Sequence, residues 1–356
     1  MKKKSLSARK ITPNNFNFKK VLKDKKIFKI YKYFEDILSN LSNPNKVAIA
    51  VSGGSDSMAL CFLISCYKHQ KNNKIQILFY LVDHGLRKTS TVEAQLVKKH
   101  LKLKNINLKI LRWKGKKPKS NIQSLARNKR YQLLFNECKK NKIKAILTAH
   151  HQDDLYETFF SRLLRGSGIE GLSSFSEIEK TFVFRNSNIS IARPLININK
   201  DNLTYITRKV FKFYAKDPSN EMKKFQRVRI RKLLTNLKNQ GLDFSKLKLT
   251  LNNLALANKA INQIVYQNIS ENVIFSKKKY ILKYNFFLQP EEIVFKSLSQ
   301  LIKKISKTAY PPRGKKLVNL IKELKAKNRL KATLGGTIIE KLHNSVLVSE
   351  EKTKKR

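Results

Sequence analysis

At Lys46 the rhythm of the chain changes. From there to residue 211, short runs rich in β-branched and aromatic residues alternate with helical segments. The strand-like runs are KVAIAV (46–51), IQILFYLV (75–82), INLKILRW (106–113), AILTA (145–149) and NISIARPL (188–195). Between them lie SMALCFLISCYKHQ (57–70), STVEAQLVKKHLKL (90–103), NIQSLARNKRYQLLFNECKKN (121–141) and DDLYETFFSRLLR (153–165), and NLTYITRKVF (202–211) follows the last strand. Such alternation places parallel strands in one sheet with crossover helices on its faces. The expected fold is therefore α/β, a doubly wound parallel five-stranded sheet. In such a sheet, ligands bind outside the carboxyl ends of the strands.

The flanks differ. Residues 1–45 read as a basic arm and a leading helix, and 46–235 as the catalytic domain. Past Gly241 the alternation stops: 242–307 is mostly helical with a β-like stretch near Lys279 to Tyr284, and 308–349 is a small α+β unit in which His343-Asn344 turns a hairpin. Residues 350–356 are a basic tail.

Charge narrows the partner. The chain has 356 residues with 76 Lys plus Arg against 24 Asp plus Glu, a formal charge of +52. An excess of this size points to a polyanion, nucleic acid first, because lysines and arginines that neutralise phosphates release condensed counterions. A genome rich in A and T would also inflate Lys, Asn, Ile and Phe. Arginine separates the two readings, since only its planar fork gives bidentate anion contacts. Of 16 arginines, 11 lie between Arg112 and Arg231. No apolar run approaches the roughly 18 residues of a membrane span; the longest is Met58 to Ile64. The basic N-terminus lacks a following apolar h-region, and Cys61, Cys66 and Cys138 form no disulfide framework. A cytoplasmic location is expected.

The chemistry concentrates at strand ends. A buried strand runs into Ser52-Gly53-Gly54-Ser55-Asp56-Ser57 and directly into a helix, so loop N–H groups and the positive helix end converge on one point. Phosphate is the natural ligand. Gly53 and Gly54 permit close backbone approach and positive φ, and Ser52, Ser55 and Ser57 add hydroxyls. A carboxylate beside a polyphosphate needs a bridging divalent cation, which assigns Asp56 to Mg²⁺. The alternative is a Ser/Gly turn capped by Asp56. There is no G-x-x-x-x-G-K-[ST] motif, and the G-x-G-x-x-G match at 166–171 follows a helix, the wrong context for a dinucleotide fold.

The second strand ends in Leu81-Val82-Asp83-His84-Gly85-Leu86-Arg87, placing His84 at the same edge as a nucleoside contact or a structural residue. The fourth ends in His150-His151-Gln152-Asp153-Asp154-Leu155-Tyr156-Glu157, where Asp154 and Glu157 are three apart and share a helix face. Arg127, Arg165, Arg193, Arg227 and Arg231 are the candidate phosphate contacts, retained in a lysine-biased chain; a solvated charged face is the alternative.

In order along the chain, SGGSDS, LVDHGLR, NIQSLARNKRY, TAHHQDDLYETFFSRLLRGSGIEGL, ARPLININK and DPSNEMKKFQRVRIR resemble the tRNA(Ile)-lysidine synthetase family over roughly residues 46–235. The first motif alone marks only PP-loop ATP pyrophosphatases; RGSG-xx-GL with RPL and DPSN is more specific. TLGG near the end resembles the C-terminal region of some members. The resemblance implies a ligase using ATP and Mg²⁺, with free L-lysine and the tRNA(Ile) bearing a CAU anticodon as substrates. The wobble cytidine's C2 oxygen attacks the α-phosphate, pyrophosphate leaves, and the lysine ε-amine then displaces AMP. Asp56, His150, Asp154 and Glu157 are the catalytic candidates, and residues 52–57 with His84 the ATP contacts. No protein partner is readable, and a homodimer is an open alternative. The nearest rival is a tRNA thiolase, which needs paired reactive cysteines. Cys61 and Cys66 would stand about 140° apart around a helix.

Overall fold

A six-stranded sheet organises the first part of the chain. The structure, a computed structural model, describes residues 16–39, 45–71, 74–87, 89–115, 120, 122–173, 178–179, 189–215, 226–276, 279–308 and 312–351. The expectations for the arm before residue 16, for Asn121, for DPSN at 217–220, for the start of the turn at 310–311 and for the tail after 351 lie outside the described residues.

Two units are distinct, 1–244 and 245–356. The first begins with helices α1 (Phe18–Val21) and α2 (Lys25–Ser39). It then alternates β1 (Lys46–Val51), α3 (Ser55–Gln70), β2 (Gln76–Asp83), α4 (Ser90–Lys102), β3 (Leu108–Arg112), α5 (Ile122–Lys140), β4 (Ala145–Leu147) and α6 (Gln152–Leu163). After α7 (Ile169–Ser173) come β5 (Ile178–Glu179), β6 (Ser190–Ala192), α8 (Lys200–Phe211) and α9 (Gln226–Asn239).

The strand order is β3-β2-β1-β4-β6-β5. Five strands are parallel, as expected, with Val51 beside Leu81 and Asp83 beside Arg112; the unforeseen two-residue β5 pairs antiparallel with β6. From central β1 the chain winds outward through β2 and β3, then to the other side through β4 and β6. The reversal falls beside the carboxyl end of β1, where doubly wound sheets bind ligands.

Helix α3 explains the Met58 to Ile64 run. Every residue from Ser57 to Tyr67 is buried, because the helix packs against β1 on one side and against α1, α2 and α8 on others. The leading helix belongs to this core: Ile27, Tyr31, Phe34 and Leu38 of α2 pack with Phe62 and Met58. Each such fully buried side chain contributes about 1.5–3 kcal/mol of burial free energy.

The second unit starts at Ser245 with the rest of α10 (Phe244–Asn272) and continues through β7 (Val273–Ser276), β8 (Lys279–Leu282) and a 3₁₀ turn at Tyr284–Phe287. It is completed by α11 (Glu291–Ser306), α12 (Gly314–Ala326), β9 (Arg329–Leu334), β10 (Thr337–Leu342) and β11 (Ser345–Glu350). An expected division between 307 and 308 is not seen. β8 pairs with β11, and the antiparallel sheet β7-β8-β11-β10-β9 joins both stretches. Leu298, Ile302 and Leu317 from the helices and Leu282, Ile339 and Val348 from the strands share one core. The hairpin β10–β11 turns at His343-Asn344 as the sequence suggests, with His343 at φ 53°.

Candidate active site

The loop between β1 and α3 is built around one hydroxyl. Ser57 Oγ accepts hydrogen bonds from the N–H groups of Ser52 (3.2 Å) and Gly53 (3.1 Å) and donates to the Gly54 carbonyl (3.0 Å). The loop is also held from outside: the Ala215 N–H donates to Gly53 O, and Thr207 Oγ1 to Ser55 O at 2.6 Å. Gly53 sits at φ +87° with Val97 Cγ2 only 2.6 Å from where a Cβ would stand. Gly54 is extended at φ −69° as the N-cap of α3, so only Gly53 uses positive φ. The first intrahelical bond is Met58 N–H to Gly54 O. The N–H groups of Ser55, Asp56 and Ser57 therefore have no intrahelical acceptor and face the helix's positive end. Beside the loop, a cavity of about 40 Å³ is lined by Ala50, Val51, Ser52, Tyr80, Val82, Arg130 and Leu134. Among the described residues the buried Tyr80 hydroxyl has no hydrogen-bond partner.

Asp56 projects from the first turn of α3 toward the turn that follows β4. Burial pushes its carboxyl above the usual range, opposed by His151, Lys200 and a 3.0 Å hydrogen bond from Ser55 Oγ. A half-buried, partly uncompensated carboxylate at the mouth of an N–H-lined loop suits a cation. Among the described residues no three His, Cys, Asp or Glu side chains form a metal cage. Mg²⁺ needs none, since it binds through one or two carboxylates, waters and substrate phosphates.

His151 is the N-cap of α6, 4% exposed, and its Nε2 lies 3.6 Å from Asp56 Oδ2 and 3.5 Å from Asp154 Oδ2. Asp154 also accepts the His151 N–H at 3.1 Å. Despite burial, the two histidines, that N–H and Arg227 hold Asp154 below the ordinary carboxylate range. His150 turns elsewhere: its Nδ1 is 2.8 Å from Thr148 Oγ1. Burial pushes His150 well below the usual imidazole value, to about 3; Asp154 opposes this, and Arg193, Arg127 and Arg227 reinforce it. Near neutrality His150 is uncharged.

The other candidates are dispersed around this centre. Glu157, 3% exposed, is held by Arg231, with Nε to Oε1 at 2.5 Å and Nη2 to Oε2 at 3.3 Å. Two residues expected to face different substrates thus face each other. Arg193 is buried and Arg227 exposed, both close enough to bias His150. Arg127 lies over the Tyr131 ring at 5.1 Å. Arg165, past the end of α6, donates to Ser161 and Gln226. His84 accepts from Arg130 Nε at 3.2 Å and meets Trp113 edge-on. Sequence reasoning did not single out His151 or Lys200. Both stand within the family-like motifs, but nothing local says which of two adjacent histidines turns toward Asp56. The cysteines are all buried; burial raises the Cys138 thiol to about 12 and pushes Cys61 and Cys66 up as well.

A doubly wound sheet whose first strand opens into a Ser-Gly-Gly loop at the reversal point defines a nucleotide-binding domain of the PP-loop class, and a family model described as a PP-loop domain matches residues 23–238. The chain is 34% identical over 330 residues to the tRNA(Ile)-lysidine synthase of Wolbachia sp. subsp. Brugia malayi (strain TRS), covering 90% of this chain and 74% of that protein. It is 35% identical over 317 residues to that of Wolbachia pipientis wMel, with 87% and 72% covered. The chain belongs to the tRNA(Ile)-lysidine synthase family and is a ligase-type enzyme. The fold is also that of the U34-tRNA thiolase NcsA from Methanococcus maripaludis, at a TM-score of 0.54 and 17% identity over 72% of this chain and 87% of that one. No helix among the described residues is long and apolar enough to cross a membrane.

Proposed function

We propose that this protein ligates free L-lysine to C2 of the wobble cytidine in the CAU anticodon of tRNA(Ile), using ATP. Adenylation of the cytidine oxygen releases pyrophosphate; displacement by the lysine ε-amine releases AMP. The product pairs with A instead of G, changing codon reading from AUG to AUA and identity from methionine to isoleucine. The observation that carries this reading is the meeting of two carboxylates on one buried imidazole. Asp56 belongs to the phosphate loop and Asp154 to the HHQDD turn, each within 3.6 Å of His151 Nε2.

In this reading the N–H groups of Ser55 to Ser57 receive the charge that develops on the departing pyrophosphate, a preorganised electrostatic contribution. Mg²⁺ held by Asp56 would supply further neutralisation of that charge. Lysine arrives with an ammonium of pKa about 10.4 and must lose a proton before it can attack. Asp154, ionised at neutral pH, holds the ammonium, and the proton passes to water before attack; His150, uncharged and partly accessible, accepts a hydrogen bond from the resulting amine. Glu157 has both oxygens on Arg231, so it fixes α6 against α9 behind the site. Exposed Arg227, with Arg127 and Arg165, and the basic surface of the second unit would dock the tRNA backbone.

The test is incubation of the purified protein with unmodified tRNA(Ile), ATP, Mg²⁺ and labelled lysine. Stable label in RNA, matched by AMP and pyrophosphate, is expected; none would refute the proposal. Pyrophosphate release with cognate tRNA also excludes a protein that merely binds RNA. Asp154→Asn should abolish transfer with little loss of tRNA binding.

A further inference from the structure

His151 has no role in the proposed chemistry, yet it is buried between two of the site's carboxylates and its backbone is held in place. Its backbone is fixed twice: its carbonyl accepts the Leu155 N–H, and its own N–H is taken by Asp154. The next residue's N–H bonds Ile198 O, tying the turn to the segment after β6. The ring is buried; among the described residues its Nδ1 has no hydrogen-bond partner, and Asp153 Oδ1 stands 3.9 Å from it. The two closer carboxylates are both at Nε2. There the ring faces Asp56 at 3.6 Å and Asp154 at 3.5 Å. Both distances exceed the roughly 2.7–3.2 Å of a formed N–H···O bond. An N–H at Nε2 is therefore shared between two acceptors and fully committed to neither.

We propose that His151 is a positioning residue that sets the spacing of Asp56 and Asp154 and couples the nucleotide end of the site to the amine end. When substrate engages one carboxylate, the Nε2–H is released to the other, which it orients for its own ligand. This rests on the reading of function given above, which supplies different ligands for the two carboxylates.

The test compares His151→Leu with His151→Gln. A glutamine amide can place an N–H near the Nε2 position, whereas leucine fills the buried space without a donor. Two steady-state assays are run on each full-length variant: tRNA-dependent pyrophosphate release, and incorporation of labelled lysine. His151→Leu should lower kcat/KM in both assays by about tenfold, the size typical of losing a supporting partner behind a functional group. His151→Gln should stay within about threefold of wild type in both, as expected if the donor and not the ring matters. The Michaelis constants for ATP and lysine should both rise in His151→Leu while that for tRNA does not.

Equal losses in the Leu and Gln variants, or a loss confined to one assay, would overturn the proposal. If the Leu variant does not fold, His151→Asn replaces it: that amide lies near Nδ1, facing away from both carboxylates, and must fail where Gln succeeds. Lysine incorporation absent from the wild type would condemn the reading of function instead. The pyrophosphate assay needs only ATP and tRNA and still judges the link to Asp56.

Discussion

Arg231 offers a choice between two functions that can be separated by measurement. By sequence it is one of five arginines assigned to tRNA phosphates; by structure its guanidinium clasps Glu157, 74 residues away. The informative perturbation is Arg231→Leu. It leaves the Glu157 side chain, 4% exposed, with a charge and no partner. Removing one member of a buried pair costs about 3–5 kcal/mol because the remaining charge is stranded. The Arg231 side chain is itself 34% exposed, so water can partly replace it, and about 2–4 kcal/mol is the appropriate range. In the double variant Glu157→Gln/Arg231→Leu no charge is stranded, and more than half of the loss should return.

The assay follows from composition. Trp113 is the single tryptophan of the chain and lies in the first unit, as does the pair. Tryptophan fluorescence during denaturation therefore reports that unit without interference from residues 245–356. For a unit of this size, about 2–4 °C of midpoint shift accompanies each kcal/mol, so Arg231→Leu should lower the midpoint by roughly 4–16 °C. Salt dependence of tRNA binding supplies the opposing outcome. If Arg231 instead neutralised a tRNA phosphate, its replacement would reduce the slope of log K against log salt by about 0.7–0.9. Should Arg231→Leu melt within a degree of wild type while the slope falls by that amount, the pair is not what this arginine is for.

Arg227→Ala should behave oppositely, leaving the melt unchanged and flattening the salt slope by about 0.7–0.9. Removing residues 245–356 should weaken tRNA binding and flatten the slope further; an unchanged slope would place the tRNA surface elsewhere. Gly53→Ala forces a side chain to φ +87° against Val97 Cγ2, which should cost about 2–4 kcal/mol in strain and overpacking. Gly54→Ala meets nothing closer than Ser52 Oγ at 3.6 Å, so it should melt normally and lose ATP affinity if phosphate lies against the loop. His150 is depressed from 6.5 to about 3 in the fold. The unfolded chain thus gains its proton first as pH falls, and the stability this group contributes is complete above about pH 6.5 and lost toward pH 3. Denaturation series should show a decline of at most about 1.4 kcal/mol per pH unit in that window, which His150→Gln removes.

How far the sequence could be read depended on how local each signal was. Strand, loop and helix at Lys46 to Gln70 are contiguous, and the Ser57 hydroxyl that organises the loop lies five residues from Ser52. Pairing in the second unit was harder. The stretch near Lys279 reads as β-like, but β7 pairs with β8 and β8 with β11, more than sixty residues on, and no periodicity in a four-residue run announces a distant partner. Adjacent histidines at a strand end posed a different problem. One meets Thr148 and the other two carboxylates, and the difference lies only in the direction each ring takes as β4 gives way to α6.

The arginines carry the more general lesson. Retention of Arg where Lys is abundant marks a need for a planar fork, because lysine is a point charge and cannot hold both oxygens of one anion. That inference finds positions that grip anions, but a carboxylate inside the protein satisfies it as well as a phosphate outside. Exposure divides them. Arg227 is open to solvent, Arg193 is 3% exposed beside His150, and Arg231 is spent on a buried glutamate. Of these, only Arg227 has a guanidinium open to a backbone arriving from solvent. An RNA surface inferred from arginine retention must therefore be reduced by every arginine whose fork is already filled from within; under the proposed function, the lysine-rich remainder of the charge would supply the long-range field that brings the tRNA to it.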